Sequence, residues 1–537
     1  MHRFKTYLLL GVLLVSAATM AQQQEFIFGQ LVDATQNDPI PFATIRIKGK
    51  ALGVISNMNG TFKIPLRYKE QGEVLEISCL GYETRELYID ELDTFKSSGI
   101  KLTPSAFELA EAIVSAREKK VNVKEIVRTA VNNIPMNYPE NEFNLVGYYR
   151  DYQVKNNAYV NLNEAIIKVR DEGFDSENSF YNQYQLLSYT SNKDFEIDRF
   201  AAQPYDYKGH NKIVPNAKMK NDGGNEFILL GMHDPIRNYK EPSFSFINDL
   251  RNDFVNTHSF KMLGKSKHKN ESVYQIEIAY SNDHYRAQGL IFINTTDFSI
   301  HKLDYELHKL DNETDEEKEN TDLRVIVNAS ERFSDGFRKM DSELLYRIQT
   351  EYTRGPERKM YLNYISFYNK ILVQRPPRFE SKFVIYLDDF SFRIRLNKMP
   401  AKLNRVKKKD FKVRYKKELI PIEEFYFLED ELTFVVCPDL DDLQTGKLFE
   451  NFNYEVADVT HAYELVDDEG NKLNERKWEY LHQYREFFTQ DTEPNAVWIN
   501  KRDQMIRLLP LDSPEQPISN EAVDEYWKNT PLQGKMN

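Results

Sequence analysis

The sequence predicts a mainly β protein: a small N-terminal β-sandwich, then a helix, a large antiparallel β-rich body, and a mixed helical and irregular C-terminal segment. Three observations carry this reading. Short stretches of alternating apolar and polar residues, separated by turn residues, fill positions 26–103; seven longer strand-like stretches lie within 141–436; and apolar residues at helical spacing are clearest at 123–134. At 537 residues the chain is too long for one ordinary domain. The divisions it predicts are a leader (1–21), the sandwich (25–104), a linker with the helix (105–140), the β-rich body (141–436) and the C-terminal segment (437–537).

Residues 1–21 read as a signal peptide. His2, Arg3 and Lys5 precede an apolar run at 7–18, and Thr19-Met20-Ala21 offers small residues at the usual cleavage spacing, so the mature chain is expected to begin at Gln22 or Gln23. The run is shorter than the roughly 20 residues that cross a bilayer, and no Cys follows it to accept an N-terminal lipid. The expected location is the periplasm or the periplasmic face of the outer membrane. Loss of Arg3 and Lys5 moves the formal charge from −12 to −14, which argues against a nucleic-acid partner. Cys79 and Cys437 are the only cysteines, so no disulfide framework is expected, and alternation with Leu75 and Ile77 places Cys79 in a core.

Within the sandwich, Ala43, Ile45 and Ile47 alternate with Thr44, Arg46 and Lys48, as in a half-buried strand. Asn59-Gly60 is a hairpin dipeptide, because both residues tolerate positive φ, and Thr61-Phe62-Lys63-Ile64 alternates again after it. Leu75 to Leu80 supplies another strand, ended by Gly81. Several short strands with no helix signal point to two packed sheets.

Four segments in order then resemble the carboxypeptidase-regulatory-like domain, a transthyretin-like β-sandwich. They are Gly29-Gln30-Leu31-Val32-Asp33, Pro39-Ile40-Pro41-Phe42-Ala43-Thr44-Ile45, the run from Gly53 through Asn57, Asn59 and Gly60 to Phe62, and Leu80-Gly81-Tyr82-Glu83. The resemblance covers about the first hundred residues. It implies a Bacteroidota envelope protein and a fold without an active site. Such domains often precede TonB-dependent receptors, and residues 105–120 are similar to the segment that trails the domain there. A plug and barrel would come next; here Val123, Ile126, Val127, Ala130, Val131 and Ile134 form one amphipathic helix that Pro135 is expected to end.

The body is predicted to hold strands at 143–153, 158–169, 272–280, 288–294, 299–307, 343–352 and 359–372. Residues 274–305 resemble the meander of lipoprotein-carrier half-barrels, an implication about architecture only. The body's strands are interrupted by long charged segments and the chain ends Gln533-Gly534-Lys535-Met536-Asn537, so a soluble, envelope-located body is expected rather than an outer-membrane barrel. The acidic run 311–322 reads as a solvated loop, without the spacing of a calcium loop. The basic stretch Lys402, Arg405, Lys407, Lys408, Lys409, Lys412, Arg414, Lys416, Lys417 reads as a solvated hairpin or a contact for anionic lipid head groups. Past Pro438 the strand pattern fades, with helices expected at 475–488 and 520–527.

No catalytic set emerges. His461-Ala462-Tyr463-Glu464 matches a zinc-ligand pairing, but the only later His is His482, twenty-one residues on, in the expected helix, so no metal site and no cofactor are assigned. Zincin, nucleophile-elbow and phosphate-loop motifs do not occur. Glu164 and Asp388-Asp389 each offer a carboxylate without a partner fixed by sequence. The 32 Tyr and 34 Phe suit strand packing better than glycan stacking. The function expected is a non-enzymatic envelope protein, the sandwich serving as a docking module and the body binding an envelope protein, lipid or glycan, with peripheral outer-membrane association. The alternatives are an envelope hydrolase of peptides or glycans, and a half-barrel lipid carrier.

Overall fold

The computed structural model describes residues 26–79, 81–94, 96–105, 108–109, 122–155, 158–177, 179–192, 195–203, 212–213, 224–241, 253–268, 271–310, 342–386, 391–415, 418–439, 457–461, 464–519, 523 and 525–530. The leader, the run 311–322, Asp388, Asp389, Lys416 and Lys417 lie outside them. The described residues form a mainly β protein in two compact units, 1–372 with 480–537, and 373–479.

The chain opens with the two-sheet sandwich. In one sheet β1 (Phe26–Asp33) pairs antiparallel with Thr61–Pro65 and parallel with Ser98–Leu102. In the other, β2 (Thr44–Ile47) lies between β3 (Gly53–Ile55) and Val74–Ser78, with Arg85–Tyr88 at the edge. In chain order the remaining four are β4 (Thr61–Pro65), β5 (Val74–Ser78), β6 (Arg85–Tyr88) and β7 (Ser98–Leu102). Every second residue of β1 is buried, and Ile27, Leu31, Ile45, Ile47, Phe62, Ile64, Leu75 and Ile77 fill the space between the sheets. Of the hairpin dipeptide only Gly60 takes positive φ, +74°, where a Cβ would meet the Leu31 carbonyl at 2.4 Å. Asn59 instead accepts bonds from the Thr61 amide (3.2 Å) and hydroxyl (2.6 Å).

The trailing β8 (Glu108–Leu109) leads to α1 (Val123–Asn132), whose N-cap Asn122 accepts from the Glu125 amide. Ile126, Val127, Ala130 and Val131 form its buried stripe. Pro135 does not end this helix. It lies in the first turn of a second one, α2 (Ile134–Asn137), where its missing N–H has no helical partner to lose. The strands β9 (Phe143–Lys155), β10 (Ala158–Asp171), β11 (Gln183–Ser191) and β12 (Lys212–Ile213) follow, then α3 (Glu226–Met232). A meander comes next: β13 (Ser259–His268), β14 (Glu271–Ser281), β15 (Tyr285–Asn294), β16 (Ile300–Leu310), β17 (Ser342–Arg354) and β18 (Met360–Gln374).

Residues 373–479 then build the second unit, from β19 (Ser381–Tyr386), β20 (Ser391–Leu396), β21 (Phe411–Tyr415), β22 (Glu418–Ile420), β23 (Ile422–Leu428), β24 (Thr433–Pro438) and β25 (Ala457–His461). Its two sheets run β19-β20-β24-β23 and β22-β21-β25 around Phe392, Ile394, Phe411, Val413, Phe434 and Val436.

The chain rejoins the first unit as β26 (Trp478–Glu493), which corrects the helix expected at 475–488. This strand lies between β9 and β18 in the sheet β11-β10-β9-β26-β18-β17-β16-β15-β14-β13-β8, with β12 also on β18. Both of its faces are buried, so polarity does not alternate along it, and Leu481, Tyr484 and Phe487 fall at a spacing of three that imitates a helix. The described residues within 520–527 are not helical either. The segment 437–537 thus contributes to both units. One face of the large sheet packs on α1 and α3 through Tyr149, Ile167, Ile365, Phe367 and Phe487, and the other receives the sandwich through Phe42, Ile55, Tyr364 and Phe488. No described helix is long and apolar enough to cross a membrane.

Candidate functional site

Of the residues singled out for catalysis, those whose side chains are described, Glu164, Glu464 and His482, do not come together. The backbone of His461 ends β25 opposite Phe411, and its side chain lies outside the described residues. Glu464 is exposed and pairs with Lys472 at 2.5 Å. Buried Glu164 meets hydroxyls rather than a second carboxylate: Tyr148 donates at 2.6 Å and Thr530 at 2.9 and 3.0 Å. His482 lies on β26, where Nδ1 pairs with the Tyr368 hydroxyl at 2.7 Å and burial pushes its pKa down to about 4. Among the described residues no three His, Cys, Asp or Glu side chains are grouped to hold a metal ion. Neither cysteine forms a disulfide.

The charged groups that do converge lie buried beneath the sheet on its helical face. Glu226, in the first turn of α3, bonds Lys212 through one carboxylate oxygen and accepts from Arg485 Nε at 2.5 Å through the other. Arg485 also donates to Asn369 at 2.6 Å, and Lys212 to the carbonyls of Ala201 (2.7 Å) and Gln203 (3.0 Å). Burial raises the pKa of Glu226, but Arg485 and Lys212 outweigh it and hold the carboxyl below its usual range. Asp151, directly opposite Arg485 in the β9–β26 register, is pushed up to about 7 by burial and then by the Glu226 charge, although Asn163 donates to it at 3.1 Å. Each cation here is bonded to fixed protein groups. The arrangement is a buried ion cluster that ties α3 and β12 to the sheet.

A second convergence joins the sandwich to the sheet's other face. Arg150 of β9, 1% exposed, donates through Nε to Glu486 at 2.5 Å and through Nη1 to the side chain of Asn57 and the carbonyl of Asn529 (2.6 Å). Asn529 in turn donates to the Ile55 carbonyl at 2.8 Å and accepts from the Lys63 amide at 3.1 Å. Arg46 reaches Asn363 of β18 and lies 5.0 Å above the Phe488 ring. The sandwich segment seated in this junction is 53–62, one of the four that carry the sequence resemblance. Residues 27–114 match the CarboxypepD_reg-like domain. In this chain the regulatory-like domain is fixed to the body by buried hydrogen bonds, and its trailing β8 adds a strand to the far edge of the body's sheet beside β13.

No curated protein matches the chain. Among solved structures it is similar to a LolA superfamily protein from Nitrosomonas europaea, with 10% identity and a TM-score of 0.19 over 47% of this chain and 86% of that one. It is also similar to a domain described as outer membrane lipoprotein-sorting, from Vibrio parahaemolyticus, with 7% identity and a TM-score of 0.22 over 46% of this chain and 86% of that one.

One surface was not anticipated from sequence. The segment after β26 folds back along β11: Ile499 N donates to Gln183 (3.1 Å), Met505 N to the Tyr184 carbonyl (2.8 Å) and Ser519 N to the Leu186 carbonyl (2.9 Å). It covers the sheet edge and presents Trp498 (69% exposed), Val497, Leu508 and Ile506 beside Tyr181 (70%) and Phe180. Arg170 lies 3.8 Å above the Trp498 ring, and Arg507 lies over Phe180 at 5.0 Å while donating to the Phe180 carbonyl at 2.8 Å. The only signal in the sequence is a set of large apolar residues, without period, in a Pro-containing segment.

Proposed function

We propose that this is an exported, periplasm-facing envelope protein of non-enzymatic type, in which the regulatory-like domain is an interaction module and the β-rich body binds a protein partner. The observation that supports the reading is the exposed group Phe180, Tyr181, Val497, Trp498, Ile506 and Leu508 along the β11 edge. Large apolar side chains exposed side by side mark interaction surfaces. Trp, Tyr and Arg are the residues that dominate binding energy at such surfaces, and Trp498, Tyr181 and Arg507 supply all three. The regulatory-like domain adds a further exposed aromatic, Tyr88 on its edge strand β6.

The test places a photo-crosslinking residue at 498 or 181 in the full chain, in its own cells, with Glu125 on α1 as an exposed control. A discrete adduct from the two surface positions, absent from the control and lost when Leu508 and Ile506 are changed to Ser, is the expected result. Equal labelling from all three positions would sink the reading.

A further inference from the structure

We propose that residues 402–414 of the second unit form a cationic ribbon that binds an anionic lipid surface through its phosphate head groups. The proposal presupposes the envelope location. Two 3₁₀ turns, Leu403–Arg405 and Lys408–Asp410, lead into β21. Leu403, Val406, Phe411 and Val413 turn inward and pack in the core of the unit. With the inward positions taken by these four, Lys402, Arg405, Lys407, Lys408, Lys409 and Lys412 are left outside, and all six are exposed. Six exposed cations therefore fall within one short ribbon.

The counter-charges are accounted for. Asp410 is the one acid within the ribbon, and its carboxylate accepts the Lys407 amide at 2.9 Å, so it closes the turn. Lys398, just before the ribbon, lies between Asp467 (3.3 Å) and Glu469 (3.0 Å). Among the described residues none of the six outward cations makes an ion pair within 4 Å, although Glu418, Glu423 and Glu424 lie on the neighbouring strands. Lys408 bonds only the backbone of β23, donating to the Glu423 carbonyl at 3.0 Å. Beside this charge stands one apolar side chain. Leu419, 62% exposed, is directly opposite Arg414 in the β21–β22 register and so shares its face.

The composition selects the occupant. Protein interfaces are depleted in Lys, and this ribbon carries five with one flanking Leu. A dense run of Lys and Arg with a single apolar side chain fits a surface of phosphate head groups, to which each cation near the membrane contributes about a fivefold gain in partitioning. The attraction decays over a Debye length of about 8 Å at physiological salt, so binding must weaken as salt rises.

The experiment is co-sedimentation of the full chain with vesicles of phosphatidylcholine alone and of phosphatidylcholine with phosphatidylglycerol. Binding only to the anionic vesicles, reversed by salt, is expected. Changing Lys407, Lys409 and Lys412 together to Ala should lower partitioning roughly a hundredfold, at about fivefold per charge, with an unchanged thermal unfolding curve. Equal binding to both vesicles, no binding to either, or a triple variant that binds like the parent would each overturn the proposal. Cell fractionation separates the two readings: failure on vesicles by a protein found in the envelope removes only the ribbon, whereas a cytosolic protein removes the location.

Discussion

The indole of Trp527 is fully buried in the core of the N-terminal sandwich and donates from Nε1 to the Lys63 carbonyl at 2.7 Å, joining residues 464 positions apart. Gln490 of β26 holds the same residue from the other side, donating to its carbonyl at 2.6 Å and accepting its amide at 2.8 Å. Trp527 therefore completes the sandwich core and ties it to β26 of the large sheet.

Trp527→Ala is expected to destabilise the first unit by about 3–5 kcal/mol, the range for removing a buried large aromatic side chain. Urea denaturation of the full chain measures it, and a loss below about 1 kcal/mol, typical of an average substitution, would show that the indole is not part of the core.

Arg150→Ala leaves Glu486 buried without its cation and Asn57 and the Asn529 carbonyl without their donor. Breaking a buried pair from one side costs about 3–5 kcal/mol. Changing both partners, Arg150→Met with Glu486→Leu, should be milder than the single change. A double variant worse than Arg150→Ala in the same denaturation assay would contradict the junction as described.

Stability should depend on pH in two opposed ways. Burial raises Asp151 to about 7 and Asp234 to about 6, so the folded chain keeps protons that the unfolded chain releases above about pH 4; this part of the stability is lost as pH rises from about 4 to 7. Burial lowers His233 to about 3 and His258 to about 4, so the unfolded chain takes up protons first, and this part is lost as pH falls below about 6.5. Asp151→Asn should flatten the decline toward neutral pH, and His258→Gln the decline toward acid. A wild-type slope left unchanged by both substitutions would refute the assignment.

Glu464→Gln should alter stability by less than about 0.5 kcal/mol, because its pair with Lys472 is exposed at both ends. A larger change in the thermal midpoint would mean that Glu464 has a role beyond this surface pair.

The sandwich was legible because β1 and β4 each have one wetter face, so polarity alternates along them, and because Gly60 and the surrounding turn residues punctuate the segment. Strands β9, β10 and β14 to β18 were legible from their length and their β-branched and aromatic content, whereas β13, rich in Lys and Ser, was not. Neither was β26. A strand covered on both faces loses its period, and nothing local in Leu481, Tyr484 and Phe487 distinguishes it from a helix. The junction at Arg150 was hidden for a different reason: its partners, Asn57, Glu486 and Asn529, are brought together only by the sheet order. The basic stretch was visible in sequence, but the inward turn of Leu403, Val406, Phe411 and Val413 was needed to show which side chains of 402–414 are buried and which cations are left exposed.

On the function proposed above, this protein works by binding a partner at the β11 edge. Native mass spectrometry of the protein purified from its own cells, run beside a Trp498→Ala, Tyr181→Ala variant with the same unfolding curve, tests this most directly. A second polypeptide bound to the parent and absent from the variant is expected. A second polypeptide that the variant retains, or a parent that flies as a bare chain, would contradict it.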